Sequence, residues 1–210
     1  MRLTMLGTGN ALVTECYNTC FVIEDEGKYF MVDGGGGSAV LRQLKHAGFN
    51  WMDMRHIFVT HKHVDHLIGI IWMVRMICQF MNHDDYKGEA YIYSHKEVLE
   101  IIKEMADKLL LKKETRFIGD RLHLVEVHDG ETIDIIGHAT TFFDIQSTKA
   151  NQFVFAWIWE MVRSLLVVET NHIQTVKRNM PGIVSGFYMR LFVCILSEIF
   201  LIHMRSITLR

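Results

Sequence analysis

Hydrophobic and polar positions along the chain follow two different periods. At residues 2–7, 20–24 and 28–33, short apolar runs are bounded by turn residues, which predicts three strands, with Glu26-Gly27 as the hairpin turn between the last two. Four glycines follow Asp33, and from Ser38 to about Ala47 the period becomes helical, with Val40, Leu41 and Leu44 on one face. Ile57-Phe58-Val59 marks a strand at 56–60, and Leu67-Ile68-Gly69-Ile70-Ile71-Trp72 opens a buried helix running to about residue 81. The polar run Asn82-His83-Asp84-Asp85 reads as an exposed turn. Strand 90–93 leads into a helix predicted to open at Ser94, with Glu97 completing a capping box, and to reach about Lys112. That phase turns Val98, Ile101, Ile102 and Met105 inward. Strands at 122–127, 132–136 and 140–145 are separated by Asp129-Gly130 and Gly137-His138. Strand–helix alternation combined with antiparallel hairpins predicts an α/β fold of two packed sheets with helices outside.

Composition narrows the class. A chain of 210 residues that is 50% hydrophobic and 22% charged is long and apolar enough for one globular domain with a substantial core. A formal net charge of −2 provides no general footprint for nucleic acid, so RNA binding would need a local patch. Cys16, Cys20, Cys78 and Cys194 lack Cys-x-x-Cys spacing and no signal peptide precedes them, so reduced thiols in a cytoplasmic protein are expected. Cys16 and Cys20 have the chemistry of ligands, but the reading as buried small hydrophobes is preferred. The glycine run after Asp33 is not followed by Gly-Lys-Ser/Thr, which favours a tight strand-to-helix crossover over a phosphate cradle.

The chemistry concentrates in Thr60-His61-Lys62-His63-Val64-Asp65-His66, where three imidazoles and a carboxylate occupy six positions between an apolar strand and a buried helix. Imidazoles and carboxylates are ligands suited to Zn²⁺ and similar ions. On a turn, His61 and His63 can share one ion while Asp65 and His66 reach a second, with Lys62 and Val64 alternating outward. Lone histidines at 46, 56, 83, 95, 123, 172 and 203 read instead as satisfied or solvated residues.

His-x-His-x-Asp-His after a hydrophobic strand resembles the signature of the metallo-β-lactamase superfamily. Gly7-Thr8-Gly9-Asn10, Asn18-Thr19-Cys20-Phe21-Val22-Ile23 and Met31-Val32-Asp33-Gly34-Gly35-Gly36 agree with it, and Phe143-Asp144-Ile145 with Ser147-Thr148-Lys149 resembles the ribonuclease Z branch. The resemblance covers about residues 1–155. It implies a four-layer αββα sandwich and a zinc-dependent phosphodiesterase, in preference to a lactonase or thioesterase. Two Zn²⁺ ions would be held in an intact member, with Asp65 also orienting the nucleophile and Asp33 supporting the site from behind. A small-molecule or RNA phosphodiester is the implied substrate, and a homodimer is compatible with the pattern.

The chain departs from the family pattern in its second half. Gln146 stands where a third histidine is expected, which predicts one zinc or fewer here, with His138 and His128 as candidate substitutes. Val154 stands where the pattern has glycine. Residues 156–210 carry no family motif in their own frame. A one-step frame shift of Leu166–His172 permits Cys-Cys-Gly-Asp-Glu-Pro-Tyr, and the same shift of Leu196–Arg210 permits a string ending His-His-Ser-Thr. Both strings resemble later family motifs, and the shift recovers prolines, of which the chain has 1. The expectation is an out-of-frame tail arising near codons 153–159, and a truncated, catalytically inactive product is therefore one alternative. A membrane-tethered domain is another, because residues 183–203 are apolar; Arg190 and Glu198 inside that segment would each cost ~2.5–3.5 kcal/mol near mid-bilayer, so no stable membrane association is expected.

Overall fold

The computed structural model of the chain describes residues 1–148, 150–159, 163–168, 187–190 and 207–208. Strands β1 (Arg2–Gly7), β2 (Cys20–Asp25) and β3 (Lys28–Val32) pair antiparallel, and β4 (His56–Phe58), β5 (Ala90–Ser94) and β6 (Leu122–Glu126) extend the sheet in parallel from β3. A second sheet contains β7 (Thr132–Ile135), β8 (His138–Asp144), β9 (Phe153–Trp159), β10 (Arg163–Val168) and β11 (Phe187–Arg190), while β12 (Ile207–Thr208) pairs with β1 in the first. The β2–β3 turn falls at Glu26-Gly27, both with positive φ, as the sequence indicates.

Strand alternation divides the first sheet between two cores. Cys20, Val22, Met31, Ile57 and Ile92 face the helices α1 (Ala39–His46), α2 (Val64–Asn82) and α3 (Lys96–Leu109), with the short α4 (Lys112–Thr115) beside them. Phe21, Ile23, Phe30, Val32 and Phe58 face the second sheet, where Phe142, Phe155 and Trp157 close the gap. Phe30 stacks on Trp157 at 5.6 Å, and the indole N–H of Trp157 donates to Thr140 Oγ1 at 2.6 Å, so the buried ring meets its polar need inside the core. Two sheets and one outer helical layer of the expected αββα sandwich are thus in place; no helix covers the second sheet among the described residues.

Four local expectations are corrected. The helix expected from residue 67 begins at Val64, with His63 as its N-cap, so Asp65 and His66 lie in its first turn rather than on the preceding loop. The helix expected from Ser94 to Lys112 runs from Lys96 to Leu109, because the Ser94 hydroxyl donates to the Val59 carbonyl at 2.7 Å and does not cap. The capping carboxylate appears later, where Glu114 accepts from the Leu111 N–H at 3.2 Å and starts α4. Val154 is buried in β9 opposite Phe143, so the strand accepts the branched side chain. Cys20 is buried as expected, whereas Cys16 is exposed.

Among the described helices, α2 alone is long and apolar enough to cross a bilayer, yet Ile70, Met73, Val74 and Ile77 pack it into the centre of the core. The apolar segment 183–203 lies outside the described residues apart from Phe187–Arg190.

Candidate metal centre

Strands β3, β4 and β5 run parallel and deliver polar residues to one edge of the sheet. Asp33 follows β3 directly, in a left-handed conformation with φ 58°. Its carboxylate is buried and accepts the Thr60 N–H at 2.8 Å, the Thr60 hydroxyl at 2.8 Å and the His66 Nδ1–H at 2.8 Å. This bears out Asp33 as the support behind the cluster.

These bonds fix the imidazole tautomers. Thr60 spends its one hydroxyl proton on Asp33, so at the 2.9 Å contact with His61 Nδ1 it is the imidazole that donates, leaving the lone pair on His61 Nε2. That atom lies 2.9 Å from His63 Nδ1. His66 likewise gives its Nδ1–H to Asp33, and its Nε2 faces Asp65 Oδ2 at 3.3 Å. A neutral imidazole in this tautomer sets a lone pair against a carboxylate, an arrangement relieved only by a cation, whether a proton or a metal ion. With the proton as that cation, the hydrogen bond from His66 outweighs burial and holds the Asp65 carboxyl below the ordinary carboxylate range.

The donors therefore fit a divalent ion in pairs. His61 and His63 offer facing nitrogens, His66 and Asp65 offer a nitrogen and an oxygen, and the His61 ring stands 4.2 Å from that of His66 and 4.6 Å from that of His63, centroid to centroid. No group of three or more His, Cys, Asp or Glu side chains is assembled for one ion among the described residues. Lys62 turns away and pairs with Glu97 at 2.5 Å, and Val64 is exposed, as their alternation indicates.

Helix α2 is held at this position by glycine. The Gly34 N–H donates to the His66 carbonyl and the Gly69 N–H to the Gly35 carbonyl, both at 2.8 Å. A Cβ on Gly69 would lie 1.8 Å from the Gly34 oxygen, so backbone meets backbone with no room for a side chain. The glycine run thus forms the tight crossover expected of it.

Among the described residues, neither candidate substitute for the third histidine joins the cluster. The His138 Nε2 contacts Asp25 Oδ2 at 2.8 Å and its ring stacks on Trp157 at 4.7 Å, while His128 is exposed beside Glu126. Gln146 is exposed on the loop after β8, and its N–H donates to Asp144 Oδ1 at 2.8 Å.

Sequence reasoning missed His95. It follows β5 at the same sheet edge and is 3% exposed; its ring lies against Phe153 at 5.3 Å, with Nδ1 3.4 Å from Asn151 Nδ2. Its Nε2 is buried without a hydrogen-bond partner, and burial holds its pKa below the usual imidazole value. A lone histidine after an apolar strand carries no signal that separates it from a solvated one.

Two sheets with a His-x-His-x-Asp-His cluster at the carboxyl edge define a protein of the metallo-β-lactamase fold. The chain belongs to the family described as the anti-Pycsar protein Apyc1, whose model matches residues 1–192, beyond the residue-155 limit of the motifs read from sequence. It is 34% identical over 106 residues to ribonuclease Z of Pyrococcus abyssi, covering 50% of this chain and 33% of that one. With ribonuclease Z of Methanocaldococcus jannaschii it shares 29% identity over 136 residues, 64% of this chain and 39% of the other. The chain thus spans only about a third of these relatives' length. In structure it is similar to human tRNase Z, short form (TM-score 0.60, 18% identity, 80% of this chain and 68% of that one). It is also similar to the metallo-beta-lactamase fold protein YhfI from Bacillus subtilis (TM-score 0.59, 16% identity, 81% and 62%). At these identities the structural likeness establishes the fold.

Proposed function

We propose that this chain derives from a zinc-dependent, ribonuclease Z-like phosphodiesterase acting in the cytoplasm on a small-molecule or RNA phosphodiester. The observation that carries the reading is the lone pair of His66 Nε2, fixed by Asp33 and facing the ionised Asp65 carboxylate at 3.3 Å. His61 and His63 would hold one zinc, and Asp65 and His66 a second. When bound, zinc supplies Lewis acidity toward a phosphoryl oxygen and brings the pKa of a water toward ~7. Asp65, the one carboxylate of the loop, would accept a hydrogen bond from the attacking water and orient it. Buried Asp33, His61 and His66 hold their rotamers through mutual hydrogen bonds and exclude bulk water from the ligand side. The ribonuclease Z names of the relatives support the substrate class.

The test is hydrolysis of bis(p-nitrophenyl) phosphate and of a short RNA by the zinc-loaded chain. Turnover that disappears in His66→Asn supports the proposal, and a folded, zinc-loaded chain without turnover overturns it.

A second reading has its own support. Gln146 in place of a ligating histidine, together with the missing three-donor group among the described residues, favours an impaired product that binds one ion or fewer. Metal content separates the two: near two zinc per chain with turnover marks the enzyme, and under one without turnover marks the impaired product. The out-of-frame reading of residues 156–210 rests on the Gly-Asp and His-Ser-Thr strings, while the family match through residue 192 weighs against it. The coding DNA across codons 150–165 decides between them.

A further inference from the structure

We propose that His95 and the N-terminus of α3 form an anion subsite beside the metal loop, which takes a non-bridging phosphoryl oxygen of the substrate. The role assigned to this subsite rests on the phosphodiester reading above; its geometry does not.

Two independent observations meet at this place. First, α3 spans 14 residues and begins without a side-chain cap: the Ser94 hydroxyl, which the sequence offers as the cap, is committed to the Val59 carbonyl at 2.7 Å. The first-turn amides of a helix lack intrahelical acceptors and carry the positive end of its dipole, so such a terminus receives anions. Second, the N-cap residue is His95, which is 3% exposed and has a ring Nε2 with no hydrogen-bond partner. Asn151 holds the ring, its side-chain amide nitrogen 3.4 Å from Nδ1 and its backbone in a hydrogen bond with the imidazole, and Nε2 is the nitrogen left open. A buried ring nitrogen without a partner therefore stands at an uncapped helix terminus. Buried polar atoms are almost always satisfied, so a nitrogen left open at the sheet edge that carries the candidate metal loop points to a partner brought by a ligand, and toward an anion Nε2 serves as the N–H donor.

The surroundings tie this place to the metal loop. The Phe153 ring under His95 belongs to a residue whose N–H donates to the Thr60 carbonyl at 3.0 Å, and Thr60 bonds His61. Glu97, in the first turn of α3, is neutralised by Lys62, which lies between His61 and His63. That pairing offsets the acidic side chain of the first turn, which acts on His95 more strongly than Asp144, the other carboxylate that does so. His95 thus acts as a substrate-binding donor, with Phe153 and Asn151 holding its ring.

The experiment is a titration of the ¹⁵N-labelled full chain, metal-free and zinc-loaded, with inorganic phosphate and separately with dimethyl phosphate, observing the histidine ring nitrogens. The expected result is a saturable shift of the His95 Nε2 resonance, with affinity about tenfold weaker in His95→Phe, which keeps an aromatic ring on Phe153. Affinity is expected to recover in His95→Gln, which keeps a donor near the Nε2 position. A static His95 signal in the unmodified chain, or equal affinity in His95→Phe, overturns the inference, and the first of these needs no variant to fold. Failures are distinguishable: diester turnover with His95 silent removes this subsite and leaves the proposed function, whereas anion binding through His95 without turnover does the reverse.

Discussion

Asp33 and His66 are joined by a 2.8 Å hydrogen bond between two side chains that are both almost wholly buried, the imidazole Nδ1–H donating to the carboxylate. Asp33 comes from the end of β3 and His66 from the first turn of α2, so this bond fixes the helix that carries the two candidate ligands Asp65 and His66 to the strand beneath it. It also decides which ring nitrogen of His66 faces Asp65. One carboxylate therefore sets both the position and the tautomer of a candidate ligand.

Replacing this carboxylate should weaken metal binding with little change of shape. Asn tolerates the left-handed backbone at position 33, but its neutral amide cannot match a carboxylate that accepts three donors. Asp33→Asn is expected to lower zinc affinity by about 10- to 100-fold, measured by competition with a chromophoric chelator. Unchanged affinity would remove Asp33 from the support of the site.

Docking of α2 predicts a sharp contrast between glycines. Gly69→Ala places a methyl 1.8 Å from the Gly34 oxygen and should cost about 3 kcal/mol or more, because both parties are backbone. Gly37→Ala meets nothing within 4 Å and should change stability by less than about 0.5 kcal/mol. Urea denaturation of both variants checks the contrast, and similar midpoints would mean that the Gly34–Gly69 contact does not hold the helix.

The account of His56 predicts a pH dependence of stability. Burial holds its imidazole below the usual value; Asp134 pulls it up and Lys28 pushes it down, both to lesser degrees. An unfolded histidine titrates near ~6.5, so as pH falls through that value the unfolded chain takes up a proton that the folded chain refuses. Stability is then lost progressively below ~6.5 until the folded pKa is reached. The urea midpoint should fall from pH 7.5 to pH 5.5, and by less in His56→Phe. An identical fall in that variant would assign the pH dependence to other groups.

Much of the fold is legible from alternation alone, because β2 and β3 bury opposite faces in two different cores and must read as strands. The metal cluster is legible because its residue types are costly for a structural loop. The start of α2 is not, since its first turn carries Asp65 and His66 toward the ligand side and the apolar period begins only at Leu67. Ser94 and Glu97 have the spacing of a capping box, but a tertiary hydrogen bond to Val59 takes the serine and Lys62 takes the glutamate. His95 is invisible for a related reason: its burial and its open Nε2 arise from Phe153 and Asn151, more than 50 positions along the chain.

The most direct test of the central claim is zinc binding by the purified chain, followed by isothermal titration with elemental analysis of the product. The account predicts saturable zinc binding, near two per chain for the enzyme and fewer for the impaired product, abolished in the His61→Ala, His66→Asn double variant while the fold persists. Zinc binding that survives in that folded variant, or a folded parent chain that binds none, would contradict it.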